Sequence, residues 1–134
     1  MYFAEQKKQS LHEKLGGDEG IRILVKEFYD IIEQDEDARA LHLLHLQGAG
    51  VAHSRAEQFD YLCGFFGGPQ YYVMKHRHSR LKEIHEHVPI GPDMRDLWLK
   101  CMDKAIRNVG IDRDLARTLM RHFTTAAETT RNRD

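Results

Sequence analysis

The apolar residues of the chain recur at helical spacing, and strand-like alternation is absent. From Ile21 to Ile32 they follow steps of three and four residues, and Asp18 is the predicted N-cap of that helix. A second long pattern runs from Met94 to Val109, with Pro92 suited to its first turn and Gly110 at its end. The pattern predicts an all-α protein.

Shorter segments complete the predicted set of helices. They cover residues 11–15, a short helix plus a turn over 35–46, a helix from near Val51 or Ser54 to Phe66, and a last helix from Asp112 to Ala126. The chain breaks at Gly67-Gly68-Pro69, and we expect an irregular stretch after it. Because no repeat or linker is present, residues 1–134 are predicted to form a single domain. A loose lead-in over 1–10 and a frayed polar tail over 128–134 flank it.

Composition narrows the class of protein. A chain of 134 residues with 41% hydrophobic and 31% charged residues is typical of a globular domain that buries a real core. The net charge of -1 provides no basic field, so nucleic acid is not an expected partner. No apolar run approaches the roughly 18 residues of a membrane span, and the N-terminus lacks the apolar core of a signal peptide. We therefore expect a cytoplasmic protein without a membrane partner, with Cys63 and Cys101 as reduced core thiols.

Histidine is the one compositional excess, with nine residues. Most of them are expected to be solvated, but His76, His78, His85 and His87 lie between an aromatic helix and the helix that places Trp98 on its buried stripe. A histidine presented between two apolar helices can hold a flat apolar cofactor by its metal.

The motifs in this region resemble those of the group II truncated haemoglobins. They are Leu15-Gly16-Gly17, Phe28-Tyr29, Gly67-Gly68-Pro69, Tyr72, His78 with Arg80-Leu81, His85, Pro89-Ile90-Gly91, Arg95-Asp96-x-Trp98 and Cys101-Met102. The resemblance covers about residues 11–123. It implies a truncated globin fold, a two-over-two α-helical sandwich enclosing haem b. One proximal histidine would hold the iron, and gaseous ligands would bind on the opposite face.

Two histidines compete for the proximal position. The family places its proximal histidine thirteen residues before the helix tryptophan and four residues before the Pro-Ile-Gly string. His85 meets both spacings without a gap, whereas His87 requires a compensating insertion and deletion. We therefore predict that His85 binds the iron and that His87 lies at the rim.

The resemblance also implies a distal pocket with several hydrogen-bond donors. Tyr29 would contribute an O–H, Trp98 an indole N–H and Gln58 an amide N–H. Such donors stabilise the negative charge that a bound dioxygen acquires, which slows its release. Ser54 would replace the distal histidine of longer globins and leave an open route to the iron.

His42 stands where the family often has Tyr or Phe, and it is a candidate sixth ligand of the iron as well as a haem contact. The remaining expected cofactor contacts form a polar rim and an apolar lining. The rim comprises Tyr72, His78 and Arg80, and the lining comprises Phe59, Tyr61, Leu62, Leu81, Ile90 and Met102.

These features favour a haem protein that reversibly binds dioxygen, with NO and CO as further ligands. An enzymatic version would perform nitric oxide dioxygenation or peroxidase chemistry, with electrons from a separate reductase. A histidine-rich zinc or nickel protein is a weaker alternative, because two residues that lie two apart on a helix point to nearly opposite sides. A cofactor-free interaction module would leave Tyr29, Gln58 and Trp98 unexplained.

Overall fold

The structure, a computed structural model, describes residues 9–134. Within that range the chain forms α-helices, one 3-10 turn at Glu36–Ala38 and no strand. The helices are α1 (Leu11–Lys14), α2 (Gly17–Gln34), α3 (Arg39–Gln47), α4 (Val51–Phe65), α5 (Tyr71–His76), α6 (Leu81–His85), α7 (Pro92–Asn108) and α8 (Arg113–Thr130).

Helix α2 is the centre of the core. Its apolar stripe is buried as the periodicity predicts, through Ile21, Leu24, Val25, Phe28, Ile31 and Ile32. It packs against α4 and α7, and α7 packs against α8. The pair α2 and α4 therefore lies over the pair α7 and α8, which confirms the predicted two-over-two all-α sandwich. Among the described residues, no helix has both the length and the apolarity that a membrane span requires.

The start of α2 differs from the prediction. Gly16, with a φ of 99°, is the N-cap and makes no side-chain cap hydrogen bond. Asp18 lies inside the first turn, where its carboxylate accepts hydrogen bonds from the Tyr71 hydroxyl at 2.6 Å and the His12 ring at 2.7 Å. Asp18 also accepts from the Cys63 thiol, so this residue connects four helices, α1, α2, α4 and α5.

The stretch after Pro69 is more ordered than predicted. It contains the short helices α5 and α6, separated by Arg77 at a φ of 68°. One or two helical turns show no repeat in the sequence, and such short helices depend on tertiary contacts. Here α5 packs on α4, and α6 packs on α8.

The C-terminal tail was expected to be frayed, but it is ordered in the structure. Helix α8 continues to Thr130, and the backbone N–H groups of Asn132 and Arg133 both donate to the carbonyl of Ile90. Most of the predicted lead-in lies outside the described residues. Of its last positions, Ser10 caps α1 by accepting from the Glu13 N–H at 3.1 Å.

Candidate functional site

A cavity of about 630 Å³ lies between the helices of the sandwich and the short helix α6. This volume is in the range of small-molecule and cofactor sites. Most of the predicted site residues border it, namely Tyr29, Ser54, Gln58, Tyr61, Leu62, Tyr72, His78, Leu81, His85, Ile90 and Trp98.

His85 is the last residue of α6 and borders the cavity. Its Nδ1–H donates to the Leu81 carbonyl at 2.8 Å, which fixes the ring and leaves Nε2 with a free lone pair. Burial lowers the pKa of His85 from its ordinary value, so the imidazole is neutral. His87 also borders the cavity but is exposed. His85 is therefore the better-prepared metal ligand of the two.

Tyr29 lies on α2 and borders the cavity, and only 2% of it is exposed. Its ring meets that of Phe28 edge to face, with centroids 4.9 Å apart. Burial raises the pKa of the phenol, so its hydroxyl is a protonated donor. Packing of α2 therefore determines where this donor lies.

Three donors at the cavity wall have no partner within residues 9–134. They are the Tyr29 hydroxyl, the Trp98 indole N–H and the Gln58 amide. No fully buried side-chain nitrogen or oxygen among the described residues lacks a hydrogen bond, so these donors reach accessible space. An apolar cavity with a few such polar groups is suited to a cofactor that carries a small polar ligand.

His42 does not border the cavity, whereas His45 does. The His45 Nδ1–H donates to the Leu41 carbonyl at 2.8 Å, and its ring lies edge to face with Tyr29 at 5.7 Å between centroids. His45 lies four residues after the buried Leu41 and so shares its helix face. That spacing was the signal that could have identified His45 in the sequence.

Three other predicted contacts also lie away from the cavity wall. Phe59 stacks on Tyr71 on another face of α4, and Met102 is fully buried within the core. Arg80, the N-cap residue of α6, is exposed, and its guanidinium pairs with the Glu83 carboxylate three residues later at 3.0 Å.

Sequence reasoning missed an acidic group at the cavity rim. Glu57 borders the cavity and accepts from His76 Nε2 at 2.6 Å and from Lys75 at 3.2 Å. These contacts join α5 to α4, and their partners are 18 or 19 residues apart in the sequence, so no local sequence pattern predicts them. His78 is engaged differently, because its Nδ1 accepts from the Arg80 N–H at 3.1 Å.

The histidine pairs do not form a zinc or nickel centre within residues 9–134. The one group of three ligand atoms within 4.8 Å there is His12, Asp18 and Cys63, and none of the paired histidines belongs to it. Its members are hydrogen-bonded to one another, with the Cys63 thiol 3.6 Å from Asp18. Burial and the adjacent carboxylate raise the pKa of Cys63 to about 12, so the thiol stays protonated.

The cavity residues fit a haem. His85 presents an unprotonated Nε2, Leu62, Leu81 and Ile90 provide apolar contacts, and the unpartnered donors are available to a ligand on the metal. The basic groups that would suit propionates are His76, His78 and Arg95, all at the cavity wall.

Comparison with known proteins agrees with this assignment. The profile of the bacterial-like globin family matches residues 10–132. A group 2 truncated haemoglobin of Bacillus subtilis is 26% identical over 99 residues, which are 74% of this chain and 71% of that protein.

Solved structures show the same likeness. The cold-adapted truncated haemoglobin of Pseudoalteromonas haloplanktis superposes with a TM-score of 0.88 at 32% identity, covering 94% of this chain and 100% of the other. The group II two-on-two haemoglobin of Agrobacterium tumefaciens gives 0.88 at 31% identity, covering 98% and 100%. With its helical sandwich and its cavity histidine, the chain belongs to the bacterial-like globin family, as a group II truncated haemoglobin.

Proposed function

We propose that this globin binds haem b through His85 Nε2 and reversibly binds dioxygen on the face opposite to His85. NO and CO would bind at the same position. Globin membership implies haem and small gaseous ligands in general. The specific assignment is supported by one observation above all. A neutral, carbonyl-tethered imidazole and three unpartnered donors border the same cavity.

A bound haem would supply the iron that takes the gaseous ligand. On the proximal side, the Leu81 carbonyl holds the Nδ1 proton of His85, which keeps Nε2 free and increases its basicity. Burial keeps the ring neutral, because the charged form would be poorly solvated there.

On the other side, Tyr29 and Trp98 are held by aromatic packing. Phe28 contacts both rings, at 4.9 Å from Tyr29 and 5.0 Å from Trp98 between centroids. Because packing fixes both side chains, their O–H and N–H groups need little reorganisation to donate to a ligand that carries negative charge. Such donation would give strong retention of dioxygen and slow release.

Absorption spectroscopy tests the proposal. The protein is purified, titrated with haemin, reduced and exposed to oxygen and to CO. We expect an intense Soret band with one haem per chain, reversible shifts with both gases, and a pyridine haemochrome spectrum of haem b. A protein that gives no Soret band after titration would refute the proposal.

A further inference from the structure

The helix that carries His85 is too short to be stable without contacts from other parts of the chain. Helix α6 has only five residues, and its N-cap residue, Arg80, makes no side-chain cap hydrogen bond. Isolated helices of this length are unstable in water, and the last carbonyls of a helix lack partners within it. The backbone of His85 therefore needs partners from elsewhere in the chain.

Asn132, in the tail beyond α8, supplies them. Its Nδ2 donates to the His85 carbonyl at 3.2 Å and to the Val88 carbonyl at 2.8 Å, and its Oδ1 accepts from the Ile90 N–H at 2.8 Å. The backbone N–H groups of Asn132 and Arg133 donate to the Ile90 carbonyl at 2.9 and 3.0 Å. We name these five hydrogen bonds the C-terminal clamp.

The clamp is anchored to the frame of the sandwich. Asn132 follows α8, and the neighbouring Arg131 pairs with Glu128 of that helix at 2.8 Å. Glu128 also pairs with Arg95, which lies on α7 and borders the cavity. The tail therefore ties the loop of His85 to both helices of the lower layer.

The chemistry of the amide matches its surroundings. An Asn side chain can donate twice and accept, and here it does both toward backbone groups of one loop. Asp at this position would place a carboxylate oxygen where the amide has its N–H groups. That oxygen and the two backbone carbonyl oxygens are all acceptors, so no hydrogen bond could form between them. Ala would remove three hydrogen bonds and leave the two from the tail backbone.

We propose that Asn132 is a positioning residue for the proximal histidine. This inference rests on the proposed role of His85 as the haem ligand. The Leu81 carbonyl orients the imidazole relative to α6, and the C-terminal clamp sets the end of α6 relative to α7 and α8. Both links are needed to define where Nε2 lies in the cavity.

The test compares Asn132→Ala with a matched control, Asn108→Ala. Asn108 is also exposed and joins two helices through one hydrogen bond, from its Nδ2 to Glu27 at 3.0 Å, away from the cavity. Both variants are prepared with haem, and haem transfer to an excess of an apoglobin acceptor is timed. We expect transfer about tenfold faster in Asn132→Ala, because three of the five hydrogen bonds of the clamp are lost, and no change in Asn108→Ala.

A spectroscopic measurement separates positioning from general destabilisation. In the reduced, ligand-free protein, the iron–histidine stretching band should shift and broaden in Asn132→Ala and stay unchanged in Asn108→Ala. Asn132→Asp keeps the size of the side chain but not its donors, so it should behave like Asn132→Ala. In the haem-free protein, the Ile90 amide should exchange with solvent faster in Asn132→Ala, because it loses its acceptor.

The outcomes are distinguishable. A wild-type protein without a Soret band would refute haem binding and, with it, this inference. A wild-type Soret band together with unchanged transfer rates and an unchanged iron–histidine band in both Asn132 variants would overturn only the positioning role of Asn132.

Discussion

The two walls of the cavity are held in place by different interactions. The proposed distal donors Tyr29 and Trp98 define one of them, the distal wall, and lie on α2 and α7, long helices with continuous buried stripes. The proposed iron ligand His85 defines the other, proximal wall. It lies at the end of a five-residue helix with no buried residue, and hydrogen bonds from residues beyond α8 hold its loop.

This difference has consequences for robustness. Apolar burial stabilises in proportion to area and has no direction, so the distal wall should tolerate the loss of a single polar contact. Hydrogen bonds are directional and few, so the proximal wall depends on individual groups. Each prediction below removes one group from one wall.

Removing the proximal ligand should have the largest effect. We expect His85→Ala to lose most of its haem, because no other described imidazole at this wall has its ring fixed by a backbone carbonyl. The haem-to-protein ratio after purification measures this. His87→Ala is the control and should keep its haem. If His87→Ala lost its haem and His85→Ala kept it, His87 would be the iron ligand instead.

Removing a distal donor should change ligand release and leave haem content intact. We expect Trp98→Phe to speed oxygen dissociation about tenfold, since losing a donor to a charged acceptor costs about 1.5 kcal/mol. Tyr29→Phe should act in the same direction. The effects should not add, because Phe28 contacts both rings. Stopped-flow oxygen release rates equal to wild type in both variants would refute the proposed donation from Tyr29 and Trp98 to the bound ligand.

A smaller effect should come from His45 and appear only in acid. Burial lowers the pKa of His45 below its ordinary value of 6.5, so the ring is neutral at pH 7 and charges only as the pH falls well below neutral. The imidazolium is a cation with two N–H donors, so protonation should slow oxygen release by roughly threefold, for under 1 kcal/mol.

The matched variants for this experiment are His45→Phe and His42→Phe. Release rates between pH 7 and 5 should become flat in His45→Phe and keep their slope in His42→Phe, because only His45 borders the cavity. The same pair tests sixth coordination in the ferric protein. A low-spin histidine signal in electron paramagnetic resonance that vanishes in His42→Phe would show that His42 is the sixth ligand of the iron.

The smallest effect should follow from a polar contact next to the distal wall, where the Arg55 guanidinium lies 5.8 Å from the Tyr29 ring centroid. Arg55 joins α4 to α2 through Asp30 at 2.7 Å and Glu33 at 2.6 Å. We expect Arg55→Met to lower the free energy of unfolding by about 1 kcal/mol or less, as is usual for partly exposed ion pairs. Haem transfer should stay at the wild-type rate. A haem transfer rate as fast as that of Asn132→Ala would contradict the proposed difference between the two walls.

The distal wall was largely predictable. Tyr29 borders an apolar stripe of period 3.6, and Trp98 sits on another, so periodicity alone orients them toward the interior. The resemblance then placed both in a haem pocket. The position of His42 was less predictable, because the turn and short helix between Asp35 and Gln47 decide which of two nearby histidines borders the cavity.

The sequence by itself determined the helical class and the two long buried stripes, and the family resemblance supplied the spacing that favours His85 over His87. These follow from local periodicity and from motif distances along the chain. Only the tertiary structure decided the hydrogen bond of Tyr71 to Asp18, the pairing of Glu57 with α5, and the contact of Asn132 with the loop of His85. Those contacts join groups 18 to 53 residues apart, and hydrogen bonds across such separations leave no repeat in the sequence.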